Sequence, residues 1–120
     1  MSTLARDGTS PVTTEDDLIV VLCTAPSEDV AADLARGLVG ERLAACVNVI
    51  PGMRSFYRWE GKVHDDQEVQ LIIKTRRDHF SELQAWIHSH HPYDVPEVVA
   101  HSVAHVSDVY AEWLRDQTGG

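Results

Sequence analysis

Cys23, His90 and His91 are the side chains of this sequence whose donor types could together hold a soft metal ion. One thiolate with two imidazoles suits copper or zinc rather than magnesium or calcium, which take oxygen ligands. Their spacing adds little, because the chain contains no CxxC or HxxxH pattern. Adjacent histidines also diverge unless the backbone turns them together. The plainer account is a buried cysteine acting as a small hydrophobe, next to histidines that end a helix.

A second set of residues suits a pocket or an interface: Trp59, Glu60, Lys74, Tyr93 and Glu97. Trp59-Glu60-Gly61-Lys62 reads as an exposed turn, and tryptophan at such a position favours a subunit contact over a ligand grip. His91-Pro92-Tyr93 with Pro96-Glu97 is a rigid polar and aromatic loop. It either shapes a pocket or simply stops a helix and aims the chain into a sheet. Lys74 and Arg54 could meet an anion such as phosphate, though solvated or salt-bridged side chains are the ordinary case. No Ser-His-Asp or Cys-His arrangement stands in a recognisable context, and glycine-rich phosphate loops are missing. The sequence does not read as an enzyme.

The bulk numbers narrow the partners. One domain is the natural reading of 120 residues with 43% hydrophobic content. A net charge of −9 argues against nucleic acid and anionic membrane surfaces, which need a basic footprint. The longest apolar run, Leu18 to Cys23, is too short to cross a bilayer. The N-terminus lacks the apolar core of a signal peptide. These features point to the cytoplasm, where Cys23 and Cys46 stay reduced.

Residues 1–15 are polar and read as a disordered tail, leaving a domain over residues 16–118. Leu18 to Cys23 is a continuously apolar, β-branched run, hence a central strand. Ser27 is placed to cap a helix carrying Glu28 and Asp29 in its first turn and Val30, Leu34 and Leu38 on its buried face, with Gly40 near its end. A long hairpin follows from Glu41 to Thr75. Its first arm runs from Ala44 to Ile50 and resumes from Arg54 to Trp59, with Pro51-Gly52 as a bulge. Its return begins at Lys62-Val63, is interrupted at Asp65-Asp66, and continues from Glu68 to Thr75. A second helix is expected from about Arg77 to His90, ended by Pro92. A fourth strand is expected from Glu97 to Val106. Ser107 or Asp108 can then cap a last helix carrying Tyr110, Trp113 and Leu114.

The order β-α-β-β-α-β plus a C-terminal helix is the split-βαβ, ferredoxin-like plan of the α+β class. Its antiparallel sheet has strands one and three in the centre and both helices on one face. Leu18 to Cys23 and Val69 to Ile73 show almost no alternation, so both faces need cover, and a second copy of the chain is the simplest source. This plan brings Cys23, the histidine pair and the hairpin tip to one edge. It also sets Cys46 about 17–20 Å from Cys23, a strand length that no disulfide spans.

Several of these segments resemble the CutA divalent-cation-tolerance family. The resemblance is carried by Val20-Val21-Leu22-Cys23-Thr24-Ala25-Pro26, Glu41-Arg42-Leu43-Ala44-Ala45-Cys46-Val47-Asn48, Pro51-Gly52, Ser55, Tyr57 and Trp59-Glu60-Gly61-Lys62. It continues through Glu68, Lys74-Thr75, His91-Pro92-Tyr93, Pro96-Glu97 and Tyr110 with Trp113-Leu114, covering about residues 18 to 117. The resemblance implies a homotrimer similar in shape to the PII signalling proteins, with hairpins shared between subunits. It implies a role in tolerance of, or response to, divalent metal ions, and copper binding at Cys23, His90 and His91. The alternative is a PII-like signalling or scaffold trimer that takes a small anion or a partner protein through Arg54, Lys74 and Tyr93. An acylphosphatase-like enzyme on the same plan is the remaining reading.

Overall fold

The computed structural model describes residues 17–119, so the tail expected over residues 1–15 lies outside the described residues. The elements run β1 (Leu18–Ala25), α1 (Glu28–Gly40), β2 (Cys46–Trp59), β3 (Lys62–Arg76), α2 (Phe80–His90), β4 (Val99–Ser102) and α3 (Asp108–Gln117). The sheet order is β2-β3-β1-β4 with every pairing antiparallel, the expected split-βαβ arrangement.

Local chemistry accounts for most boundaries. Ser27 Oγ accepts the Val30 N–H at 3.2 Å, and Glu28 and Asp29 sit where the helix dipole favours them. Ala31, Leu34 and Leu38 form the buried stripe of α1. The helix ends at Gly40, with Glu41 as its C-cap. Arg42 takes a left-handed φ of 61°, Leu43 N–H reaches Leu38 O at 2.9 Å, and Arg42 N–H reaches Val39 O at 3.1 Å. This is a Schellman end with arginine where glycine is usual, at a cost of roughly 1–2 kcal/mol. Arg42 offsets part of it by donating to Asp116 O and Gln117 O at 3.3 and 3.4 Å, where α3 runs out of intrahelical donors.

The hairpin departs from expectation in one respect. Asp65 and Asp66 do not interrupt β3, which is continuous over its 15 residues. Both carboxylates find partners across the arm: Arg54 pairs with Asp65 through two hydrogen bonds of 2.8 Å, and Tyr57 OH donates to Asp66. The bulge falls at Pro51-Gly52 as expected, between Ile50 and Met53, with Gly52 at φ 85°. Glu60 and Gly61, at φ 51° and 78°, make the two-residue primed turn that matches strand twist. Beyond the Ala25–Val69 pair the arm runs on to Lys62 without a third strand, and the described chain is 57 Å long but only 25 Å by 23 Å across.

Two other boundaries shift. Arg77–His79 is a 3-10 turn before α2. Strand β4 spans only Val99–Ser102, shorter than the run expected from Glu97 to Val106. It is an edge strand that pairs only with β1, and past Ser102 a single bond from Val103 N–H to Leu18 O remains for it to make. Ser107, not Asp108, caps α3 by accepting Tyr110 N–H at 3.3 Å.

The core lies on one face of the sheet. Ile19, Val21, Cys23, Leu71 and Ile73 pack there against Leu34 and Leu38 of α1 and Leu83 and Ile87 of α2. On the other face, α3 covers one end through Ala111 and Leu114 against Leu18 and Ala45. The rest is open: the register aligns Ile50, Leu22, Ile72 and Val99 on this side, and Ile50 and Val99 are each 47% exposed. Cys23 faces the core and Cys46 the open side, and both are free. Two strands across and three residues along separate them by roughly 14 Å, closer than expected but on opposite faces.

Candidate functional site

The end of β1 and the end of α2 meet at Thr24. His91 terminates α2, its N–H bonding Ile87 O at 2.8 Å, and turns into extended backbone with φ −88° and ψ 140°. That turn sends the imidazole inward, where it is 8% exposed. Its Nε2 donates to Thr24 O at 2.7 Å, and its Nδ1 accepts Tyr93 N–H at 3.1 Å. Both ring nitrogens are therefore engaged, and neither keeps a lone pair for a metal. Cys23 Sγ reaches the same carbonyl at 3.7 Å, from a fully buried position. Burial first, then the fields of Glu97 and Glu68, push its thiol up to about 12.

His90 points elsewhere. It is exposed at the last turn of α2, where its Nδ1 donates to Trp86 O at 2.7 Å. Its ring stacks on the Trp86 indole, with centroids 3.9 Å apart and planes 14° from parallel. The indole in turn lies over Gly37, where an added Cβ would come within 2.2 Å of Trp86 Cζ2. With Nδ1 donating to the carbonyl, Nε2 of the exposed ring carries the lone pair. The structure thus brings Cys23 and His91 to one carbonyl and sends His90 to another surface. Among the described residues no three His, Cys, Asp or Glu side chains form a group that could hold a metal ion.

A buried, protonated thiol has a consequence that can be measured. Raising pH favours the thiolate in the unfolded chain, where cysteine ionises near about 8.5, whereas Cys23 in the fold holds its proton to about 12. Its stabilising effect is complete below the unfolded value and is lost as pH rises from there toward 12. At pH 8, iodoacetamide is expected to label Cys46 and to leave Cys23 unmodified until denaturant is added. Mass spectrometry of the alkylated peptides checks this, and equal labelling of both cysteines in the folded protein would contradict it.

The pocket residues divide in the same way. Tyr93, Glu97 and Trp59 line a cleft of about 750 Å³ between the hairpin arm and the loop that follows His91. Glu60 sits in the turn at the far tip, roughly 24 Å beyond the Ala25–Val69 pair if the seven strand residues to Lys62 are extended. Lys74 lies at the other end of the sheet, level with Val20 and Cys46. Arg54, Lys74 and Tyr93 do not gather around an anion. Arg54 is committed to Asp65, and Tyr93 OH to Glu68 Oε2 at 2.6 Å. Glu68 is a residue that sequence reasoning placed on a strand and among those shared with the family, without giving it a role in a site. It is 8% exposed at the base of the arm, and its phenol partner lies 25 positions away, so no local pattern announces it.

With this geometry in view, comparison with known proteins is decisive. The family model described as CutA1 divalent ion tolerance protein matches residues 19–117. The chain belongs to that family. The divalent-cation tolerance protein CutA of Thermus thermophilus is 51% identical over 100 residues, 83% of this chain and 97% of the relative. The solved structure of the Thermus thermophilus divalent cation tolerance protein superposes with a TM-score of 0.82 at 50% identity, covering 85% of this chain and 99% of that one. A CutA structure from Archaeoglobus fulgidus, described as periplasmic, gives a TM-score of 0.82 at 32% identity over 84% of this chain and 98% of its own. The α+β sheet built here is the CutA subunit fold. No helix among the described residues is long and apolar enough to cross a membrane.

Proposed function

We propose that the protein serves divalent-cation tolerance or response without catalysing a reaction, as a cytoplasmic homotrimer that binds copper or a similar soft divalent cation. Family membership across residues 19–117 is the observation that carries this reading. The half-open apolar face supports assembly, because Ile50 and Val99 are too hydrophobic to be left in water as part of a contiguous patch. Two free cysteines without a disulfide suit a reducing compartment.

Cys23, His90 and His91 do not fit a single ion in the arrangement described above. The thiol is protonated in the core, and the His91 nitrogens are both bonded. His90 fits best, since its Nδ1 bond to the Trp86 carbonyl fixes the tautomer and leaves the Nε2 lone pair uncommitted. Imidazole is a good donor to copper and zinc, so His90 is the proposed point of contact. A calorimetric copper titration tests this on untagged protein. His90→Ala is expected to lose most of the binding heat, and Cys23→Ser to retain it. Unchanged binding in His90→Ala would remove that residue from the site, and no binding by the unaltered chain would remove copper.

A further inference from the structure

The ring of His90 is held by a chain of packing that begins on the other helix. Gly37 lies inside α1 with ordinary negative φ, where alanine would favour the helix over glycine. Here, however, a Cβ would come within 2.2 Å of Trp86 Cζ2 and 2.3 Å of Trp86 Cη2, closer than bonded neighbours apart any carbons approach. Those atoms belong to a rigid indole that also packs on the core. The missing side chain at Gly37 is what lets the indole edge rest on α1.

With its edge seated, the half-buried indole offers a face to the next turn of α2. His90 is four residues on, so it lies over the same side of the helix. The stack, with centroids 3.9 Å apart and planes 14° from parallel, sets the plane of the imidazole. In that plane Nδ1 meets the Trp86 carbonyl at 2.7 Å. A carbonyl only accepts, so Nδ1 carries the proton and Nε2 the lone pair. Free histidine prefers the opposite tautomer, with its proton on Nε2. Trp86 thus supplies both the wall and the acceptor that reverse the preference.

We propose that Trp86 is a positioning residue for the metal contact at His90, and that Gly37 is the residue that admits it. Trp86 holds the imidazole as the Nδ1–H tautomer, which leaves Nε2 to donate to a soft divalent cation. Partners that orient a ligating imidazole in this way tune its affinity for the ion. The ligand role rests on the reading of His90 given above. The tautomer is a property of the metal-free protein and is measured without any ion.

Nitrogen NMR of the imidazoles in metal-free protein at pH 8, where ordinary imidazoles are neutral, reads the tautomer. His90 is expected to be mostly Nδ1–H, and to shift toward Nε2–H in both Trp86→Leu and Gly37→Ala. The exposed ring of His88 on the same helix is the reference and is expected to stay unchanged. Trp86→Phe keeps an aromatic face and is expected to hold the tautomer of the unaltered protein. Calorimetry with copper(II) is expected to give about tenfold weaker binding in Trp86→Leu and Gly37→Ala, and binding within about threefold of the unaltered protein in Trp86→Phe. If Trp86→Leu loses its circular dichroism spectrum, Gly37→Ala and the tautomer of the unaltered protein decide. No copper binding by an unaltered protein whose tautomer is as expected would remove the ion from His90 and leave the positioning by Trp86 standing. An Nε2–H ring in the unaltered protein, a tautomer unmoved by either substitution, or equal copper affinity in Trp86→Leu would overturn it.

Discussion

Replacing both Ile50 and Val99 with glutamate is expected to leave a folded chain of 13.4 kDa, where the unaltered protein, as the proposed trimer, is expected to run at about three times that mass. Both side chains are 47% exposed in the single chain, on the side of the sheet that the helices α1 and α2 do not cover. In an isolated subunit such a surface change costs no more than about 0.5 kcal/mol. Across an apolar interface each copy would bury unpaired carboxylates, at several kcal/mol apiece by the order of magnitude for desolvated charge. The assembly therefore fails before the fold does. Light scattering reads the mass and circular dichroism reads the fold. Leu71→Glu is the contrasting case: that residue is fully buried on the helix side, so the substitution should abolish folding itself. A mass of 13.4 kDa for the unaltered protein would refute the assembly.

His91→Ala should cost about 2–4 kcal/mol of stability, while His90→Ala next to it costs less than about 1. Removing the His91 ring strands the buried Thr24 carbonyl and the Tyr93 N–H together, and it frees the loop that carries Tyr93 against Glu68. The His90 ring makes one bond to a carbonyl of its own helix and one stacking contact at the surface. Denaturant midpoints at a fixed protein concentration measure the difference, since the proposed assembly would make stability depend on concentration. Glutamine at position 91 can donate to Thr24 O but cannot also accept from Tyr93 N–H in the ring's geometry, so a partial recovery is expected. Equal losses at the two positions would mean that His91 does not pin the loop.

Much of this protein was legible in its residues one stretch at a time. Ser27 with Glu28 and Asp29 marked a helix start, Pro51-Gly52 a bulge and Glu60-Gly61 a turn, because each depends on backbone preferences a few residues wide. The element order then left few topologies, and the sheet order followed. Asp65-Asp66 was misleading for the opposite reason. Acidic residues look unfavourable for a strand until Arg54 and Tyr57, 11 and 9 positions away, pair with and donate to them from the facing arm.

The site is where local reasoning ran out. Residue types alone put Cys23, His90 and His91 on one list, as possible metal ligands near one edge of the sheet. Which of them has a lone pair to offer depends on partners that only the folded chain supplies: the Thr24 carbonyl for Cys23 and His91, the Trp86 carbonyl and indole for His90. Glu68 shows the same division from the other side, an unremarkable strand residue until packing buries most of it and sets its carboxylate on the Tyr93 phenol beside the cleft. Sequence by itself determined the elements, their order and the family, because periodicity, capping and turn chemistry are short-range. Tertiary structure decided which donors are free, because hydrogen bonding and desolvation are settled by groups far apart in the chain.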